Sequence, residues 1–264
     1  KEEIFSQLRS LGVPTDKPVT VHSSLKAIGE VEGRGEGFLE MLIEYVTLNG
    51  GLLCLPTHTW HRCGGSGQIT LDVCSDDVCI GTLPRIASIH KNVHRTLNPT
   101  HSLAVFGSDE KAAVFAALDD SLVSSSDPNG CLGSFIGQNG YILLIGVGQE
   151  KNTFLHVVED LNNVSNRLSS DIFPATVKLT DGSIIDKPLK LIAPRYIGDV
   201  SQRYPKLEPA FSLGGAIKYG KIGNADVQLC SARKIADIFS NIIKKADGRE
   251  LFADDSPLPE NLYK

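Results

Sequence analysis

The stretch Tyr141–Asn163 constrains the fold of this chain more than any other. Tyr141-Ile142-Leu143-Leu144-Ile145 is a short unbroken apolar run of strand formers, the pattern of a buried strand. Gly146-Val147-Gly148 ends it with a glycine-bracketed turn. From Asn152 the pattern becomes helical, through Thr153-Phe154-Leu155-His156-Val157-Val158-Glu159-Asp160, with Asn152 or Thr153 as the capping residue. His156, Glu159, Asp160 and Asn163 recur at i, i+3, i+4 and i+7 and so share one helix face, with Phe154, Leu155, Val158 and Leu161 as most of the apolar surround. Solvated helices often carry such a face. What points this one to chemistry is its position just past the carboxyl end of a strand, where open α/β sheets keep their ligand sites.

The rest of the chain supplies partners for that strand. Val19–His22 and Leu52–Pro56 read as strands, separated by the glycine-spaced loop Gly29–Gly37 and an amphipathic helix, Phe38–Leu48, stopped at Asn49-Gly50-Gly51. Strand, helix and strand at this spacing predict a βαβ crossover with parallel pairing. Thr57–Ile80 reads as a long polar loop. A helix (Thr82–His90), a turn around Pro99, a strand (Ser102–Phe106) and helices at Asp109–Leu118 and Leu132–Gln138 follow. Beyond Arg167 the period changes. Asp181-Gly182 sits between two short strands as a hairpin turn, and Ile217–Ile222 with Ala225–Leu229 forms a second hairpin. Ile197–Phe211 predicts a helix interrupted at Pro205 and Pro209, Ser231 caps a long helix to Lys245, and Asp254–Lys264 is a polar tail with no core pattern.

Composition excludes several functions. The chain has 264 residues, 41% of them hydrophobic, and a net charge of −5, so it offers no basic footprint for nucleic acid or an anionic membrane surface. No apolar run approaches the roughly 18 residues that span a bilayer, and no signal-peptide pattern opens the sequence. The six cysteines are scattered in a chain too long to need disulfides, which predicts a reduced, cytoplasmic protein.

Four places concentrate chemistry outside the central helix. Val21-His22-Ser23-Ser24-Leu25 puts two hydroxyls and free backbone N–H groups at a strand end, suited to phosphate or to the amides of a pantetheine arm. Pro56-Thr57-His58-Thr59 and Arg95–Ser102 gather polar side chains at two more strand ends. His58, His61, Cys63, Cys74 and Cys79 are zinc-ligand types, but with no CxxC or HExxH spacing, so no metal is expected and a zinc hydrolase is the weaker alternative. There is no GxGxxG, no P-loop and no GxSxG elbow.

Taken in series, His22-Ser23-Ser24-Leu25…Gly29, Gly50-Gly51-Leu52-Leu53…Pro56-Thr57-His58-Thr59, Arg95-Thr96…Pro99-Thr100-His101-Ser102, Gly133-Ser134 and Leu144-Ile145-Gly146-Val147…Asn152-Thr153-Phe154-Leu155-His156-Val157-Val158-Glu159 resemble the aminoglycoside 3-N-acetyltransferase family, in its bacillus-type branch. Gly220-Lys221-Ile222-Gly223-Asn224-Ala225 is similar too, so the resemblance covers roughly residues 3–245. It implies a single α/β domain over residues 1–250 with a mixed central sheet flanked by helices, distinct from the common acetyltransferase superfamily, followed by a tail at 251–264. It implies acetyl-CoA as co-substrate, no metal, and a small cationic amine as acceptor: the 3-amino group of the 2-deoxystreptamine ring of an aminoglycoside or, in some relatives, a different amine. Transfer would be direct, in a ternary complex of a monomer or homodimer. His156 becomes the expected general base, with Glu159 and Thr153 beside it. Ser23, Ser24, Leu25 and Lys26, with Arg95 and Thr96, become the expected coenzyme site, and His58, Thr59 and Asp160 the expected acceptor site. Asn98 stands where the family commonly has the His of a His-Pro pair.

The chemistry suits an imidazole. An amine is largely ammonium at neutral pH, and it must shed a proton as the C–N bond forms. A base whose ordinary pKa lies near 6.5 can take it. The first turn of a helix, where the dipole is positive, favours the neutral ring.

Overall fold

The computed structural model describes residues 1–61, 69–192 and 199–264. In chain order the elements are α1 (Glu2–Leu11), β1 (Pro18–Ser23), α2 (Leu25–Ile28), α3 (Arg34–Thr47), β2 (Leu52–Pro56), β3 (Ile69–Asp72), α4 (Thr82–Ser88), β4 (His94–Arg95), β5 (Leu103–Phe106), α5 (Asp109–Ala116), α6 (Cys131–Gln138), β6 (Tyr141–Ile145), α7 (Phe154–Leu161), β7 (Ala175–Lys178), β8 (Ile184–Asp186), α8 (Glu208–Leu213), β9 (Ile217–Ile222), β10 (Ala225–Ser231) and α9 (Ala232–Ala246).

Seven strands form the main sheet in the order β4-β5-β2-β1-β6-β10-β9. Its middle is parallel: β1 pairs with β2 on one side and with β6 on the other. Its margins are antiparallel, through β2 with β5, β5 with β4, β6 with β10 and β10 with β9. The α/β fold with a mixed sheet is thus as expected. Side chains alternate between two cores. Leu53, Leu55, Leu143 and Ile145 join α1, α3 and α4 on one face, while Leu52, Cys54, Ile142 and Leu144 join α5, α6, α7, α8 and α9 on the other. Because Val19 and Val21 point to the first core, Thr20 and His22 are turned to the face that carries α7. A second sheet, β3-β7-β8, pairs β3 in parallel with β7 and closes the Asp181-Gly182 hairpin.

Several expectations change. The stretch 57–80 is not wholly loop, since Ile69–Asp72 pairs with β7, more than a hundred residues away and beyond the reach of local pattern. Helix α3 begins at Arg34, four residues before the first large apolar residue, because Gly33 in a left-handed conformation starts it. The stretch expected as one interrupted helix is a 3-10 segment, Val200–Leu207, followed by α8; Ile197 lies outside the described residues. Pro205 lacks the N–H an α-helix needs there, and Pro209 fits the first turn of α8. The C-terminal tail does have a core pattern: Phe252, Leu258 and Leu262 are buried in the core that holds α7 and α9. On α7, Val157 rather than Leu161 faces inward, Leu161 being 45% exposed. The helix ends before Asn163, which is exposed with φ of 52° and shares no face with His156. Among the described residues no helix is long and apolar enough to cross a membrane.

Candidate active site

The turn after β6 leaves no room for a side chain. Gly146 has φ of +65°, and a Cβ there would stand 2.4 Å from the Cβ of Ala27. A 3-10 turn, Gln149–Lys151, then delivers α7. Thr153 is the N-cap residue by position, yet neither it nor Asn152 makes a side-chain cap bond. Asn152 is buried and its Nδ2 donates to Gln149 Oε1 at 2.8 Å, bracing the turn. Thr153 Oγ1 instead lies 3.5 Å from His22 Nε2 on β1.

His156 and Glu159 lie one turn apart but face different media. The His156 side chain retains 13% exposure and that of Glu159 none. Glu159 Oε1 accepts from Arg167 Nε at 2.5 Å and Oε2 accepts from Tyr204 Oη at 2.6 Å. Arg167 also grips Glu250 through Nη1 at 3.0 Å and Nη2 at 2.8 Å, and lies over the Phe252 ring. Burial alone would push the Glu159 carboxyl up, but its contact with His156, the charges of His156 and Arg167 and the Tyr204 hydroxyl outweigh that and hold it below its ordinary value. Burial, with the charge of Glu159, raises the Tyr204 phenol well above its usual range, so it stays protonated. Glu159 is therefore a buried, saturated carboxylate and cannot meet a cationic substrate.

Three more imidazoles close in on His156. His22 arrives from β1, His58 follows β2, and His101 precedes β5. The rings of His58 and His101 lie 4.6 Å apart at 60°. Burial pushes His22 down to about 4. Burial, then the charge of His156, pushes His101 down to about 3. His58 is held well below the ordinary value by burial, then by His101, His22 and His156. All three are neutral at pH 7. Asn98 shapes this corner: its Oδ1 accepts from Thr100 N, Thr100 Oγ1 and His101 N, at 3.1, 3.2 and 2.8 Å, and Thr100 Oγ1 lies 2.9 Å from His101 Nδ1. Asn98 is thus a turn former.

The expected coenzyme residues divide. Ser23 ends β1 and Ser24, Leu25 and Lys26 follow it, with Ser24 Oγ accepting from Ala27 N at the start of α2 and Lys26 exposed. Ser23 Oγ is buried without a hydrogen-bond partner among the described residues, and a cleft of about 750 Å³ opens beside Ala27, bounded by Gly146, Val147, Gly148 and the β9–β10 hairpin. Leu25 is half-buried against the α3 core. Arg95 and Thr96 do not belong with them. The Arg95 guanidinium is buried and donates to the carbonyls of Asp72, Val73, Ser75 and Thr57 and to Ser102 Oγ, pinning the segment around β3 to β2 and β5. Thr96 is fully buried and its hydroxyl accepts from Leu103 N. Neither is open to a phosphate.

The expected acceptor residues divide likewise. Thr59 is buried and its hydroxyl donates to the Pro99 carbonyl at 2.7 Å, which makes it a structural tie. His58 is buried in the imidazole cluster. Asp160 is half-buried, and its Oδ2 accepts from the hydroxyls of Ser124 and Ser126, both at 3.1 Å; burial raises it against those bonds. Among the described residues no group of three or more His, Cys, Asp or Glu is placed to hold a metal ion. Cys63 lies outside them. Arg167 and Tyr204 escaped the sequence argument because no local pattern marks them; His22 and His101 were visible only as members of strand-end motifs.

Comparison with known proteins now gives the family. The chain belongs to the aminoglycoside 3-N-acetyltransferase family, whose model matches residues 20–244. It is 22% identical over 258 residues, covering 90% of this chain and 89% of the other, to the SPbeta prophage-derived aminoglycoside N(3')-acetyltransferase-like protein YokD of Bacillus subtilis (strain 168). Its fold matches aminoglycoside acetyltransferase AAC(3)-IVa, in a mutant form in complex with apramycin, at a TM-score of 0.71 and 21% identity over 93% of this chain and 92% of that one. It matches AAC-IIIb in a binary complex with CoASH at a TM-score of 0.73 and 17% identity, over 94% and 97%.

Proposed function

We propose that this member of the family transfers an acetyl group from acetyl-CoA to a primary amine of an aminoglycoside, the 3-amino group of the 2-deoxystreptamine ring, with His156 as general base. The observation that carries the reading is the placement of His156: partly open to solvent in the first turn of α7, its other side anchored in a buried, ionised Glu159, where the ends of β1, β2 and β6 meet. That is what a base requires whose substrate arrives from water.

The coenzyme supplies an acyl group already activated as a thioester. Ser23 Oγ, a buried hydroxyl with no partner among the described residues, lies at the end of β1, and the cleft lined by Ala27 and Gly146 offers room for an amide-bearing arm. The protein's own work is then proton handling and positioning. His156 takes the proton that the amine nitrogen loses as its bond to carbon forms. The ionised Glu159 stabilises the resulting imidazolium. Thr153 Oγ1, held only by a long 3.5 Å contact to His22 Nε2, is a candidate donor for charge developing on the acyl oxygen, and one such donor contributes on the order of 3 kcal/mol.

The test is acetyl-CoA-dependent thiol release across a panel of amines, in the native protein and in His156→Gln. Glutamine keeps size and polarity but cannot take a proton. With a chemistry-limited acceptor, kcat should fall about 10²–10⁴-fold, with CoA affinity unchanged. A His156→Gln protein that keeps near-native kcat would place the base elsewhere, and a panel without turnover would remove the transferase reading.

A further inference from the structure

We propose that Tyr204 is the positioning residue of this site: its hydroxyl joins His156 Nδ1 to Glu159 Oε2 and fixes the imidazole as the Nδ1–H tautomer, leaving Nε2 as the basic nitrogen. Tyr204 Oη stands 2.7 Å from His156 Nδ1 and 2.6 Å from Glu159 Oε2. The direct separation of Nδ1 from Oε2 is 3.4 Å, beyond the roughly 2.7–2.9 Å of a strong charge-assisted bond. The carboxylate therefore reaches the ring through the phenol.

Proton counting decides the direction of each bond. A carboxylate only accepts, and the other oxygen of Glu159 already accepts from Arg167. A phenol has a single proton. That proton goes to Glu159, so Oη can serve His156 only as an acceptor, and Nδ1 must donate. In a neutral imidazole the second nitrogen then carries the free lone pair. When Nε2 gains a proton, the line Nδ1–H···Oη–H···Oε2 places a negative charge behind the new imidazolium without any proton moving along it.

Tyr204 is placed by packing. Its ring is fully buried, edge-on to His156 at 5.2 Å and to Phe252 at 5.3 Å. It has no surface to offer a substrate, which separates it from a catalytic residue. The other ionisable groups close to His156 are His58, His101 and Asp199, with His22 beyond Thr153 and Arg167 behind Glu159. None of them forms a hydrogen bond with the His156 ring among the described residues.

The test is Tyr204→Phe, which keeps the ring and removes the hydroxyl. The direct readout is the ¹⁵N NMR tautomer of His156 above the imidazole range, assigned with His156→Gln. Native protein should show the proton on Nδ1, and Tyr204→Phe should lose that preference. A native Nε2–H tautomer, or a preference unchanged in Tyr204→Phe, overturns the proposal. The kinetic readout rests on the transferase reading. There, kcat should fall about 10–100-fold, the usual cost of losing such a partner, while KM for both substrates stays within about twofold. The acid limb of the rate profile should move to lower pH, because the imidazolium has lost its link to Glu159. A lower melting temperature with tautomer, kcat and acid limb unchanged would reveal a merely structural tyrosine and overturn the proposal. Native protein that shows the Nδ1–H tautomer but acetylates no amine would refute the transferase reading and leave the tyrosine assignment standing.

Discussion

Acidification from pH 8 to pH 5 should destabilise the fold by about 2 kcal/mol through His22 alone. Burial holds this ring at about 4, while in the unfolded chain it returns to the ordinary value near 6.5. Between those values the unfolded state binds a proton that the native state refuses. Stability is therefore highest above the unfolded value, falls as pH drops through it, and stops falling below the folded one. At pH 5 the unfolded ring is almost wholly protonated and the native ring hardly at all. That is a factor of roughly 30 in the folding equilibrium, or about 2 kcal/mol at 1.36 kcal/mol per tenfold. His101, held at about 3, acts in the same window with an upper bound of about 2 kcal/mol, reduced because its residue is only partly buried. Asp119 and Asp160, raised by burial, act in the opposite direction, so the slope of the native protein alone is not diagnostic. The difference between variants is. Urea unfolding at both pH values should show His22→Asn losing about 2 kcal/mol less than native on acidification, and His101→Asn losing less by a smaller margin. Equal losses in all three proteins would mean that these rings are hydrated or already paired with an acceptor, and that the neutral histidine wall does not exist.

Two further outcomes follow from the buried charges. Arg167→Met leaves Glu159 ionised in the core without its cation, and should lower unfolding free energy by about 3–5 kcal/mol; adding Glu159→Gln should recover part of that, and a loss below about 1 kcal/mol for the single variant would show that the pair is not truly desolvated. Arg95→Met should lower the melting temperature, because five protein acceptors lose their donor, yet leave the rise in melting temperature produced by saturating CoA intact; disappearance of that rise in a folded variant would return Arg95 to the coenzyme site.

The parts legible in the sequence are those whose signal is local. The apolar run at Tyr141–Ile145 and the glycine turn after it predicted β6 and the entry of α7, and the βαβ spacing predicted the parallel pairing of β1 with β2. Placement of His156 at the start of a helix came from the same signals. What stayed hidden depends on contacts distant in sequence. Helical spacing put Glu159 and His156 on one polar face, but spacing says nothing of what packs there. Tyr204 and Arg167 come from outside that helix, and they turn a solvated carboxylate into a buried one. Arg95 misled for the converse reason. A cation beside strand-end hydroxyls resembles a phosphate ligand until the fold brings four backbone carbonyls around it. The tail was misjudged because its three apolar anchors, Phe252, Leu258 and Leu262, are too few and too widely separated by polar residues and prolines to form a periodic run, and they bury only against a core made by earlier elements.

On the proposed transferase reading, the burial of Glu159 also moves the question of how a cationic acceptor would be recognised. A carboxylate saturated by Arg167 and Tyr204 has no lone pair turned to solvent and cannot distinguish an ammonium group. Selection must then come from groups that remain near the surface around His156. Asp199 is a candidate, exposed and close enough for its charge to interact with the imidazole, whereas Asp160 is half-buried and tied to Ser124 and Ser126. The wall of His22, His58 and His101 contributes by its neutrality. Each is held below the ordinary imidazole range, so at pH 7 an approaching ammonium meets no like charge from it. Three solvated imidazoles at the same place would be partly protonated as the pH approached 6, and would repel the substrate that the base must deprotonate. On the transferase reading, burying the three histidines thus keeps the approach to His156 free of like charge at pH 7.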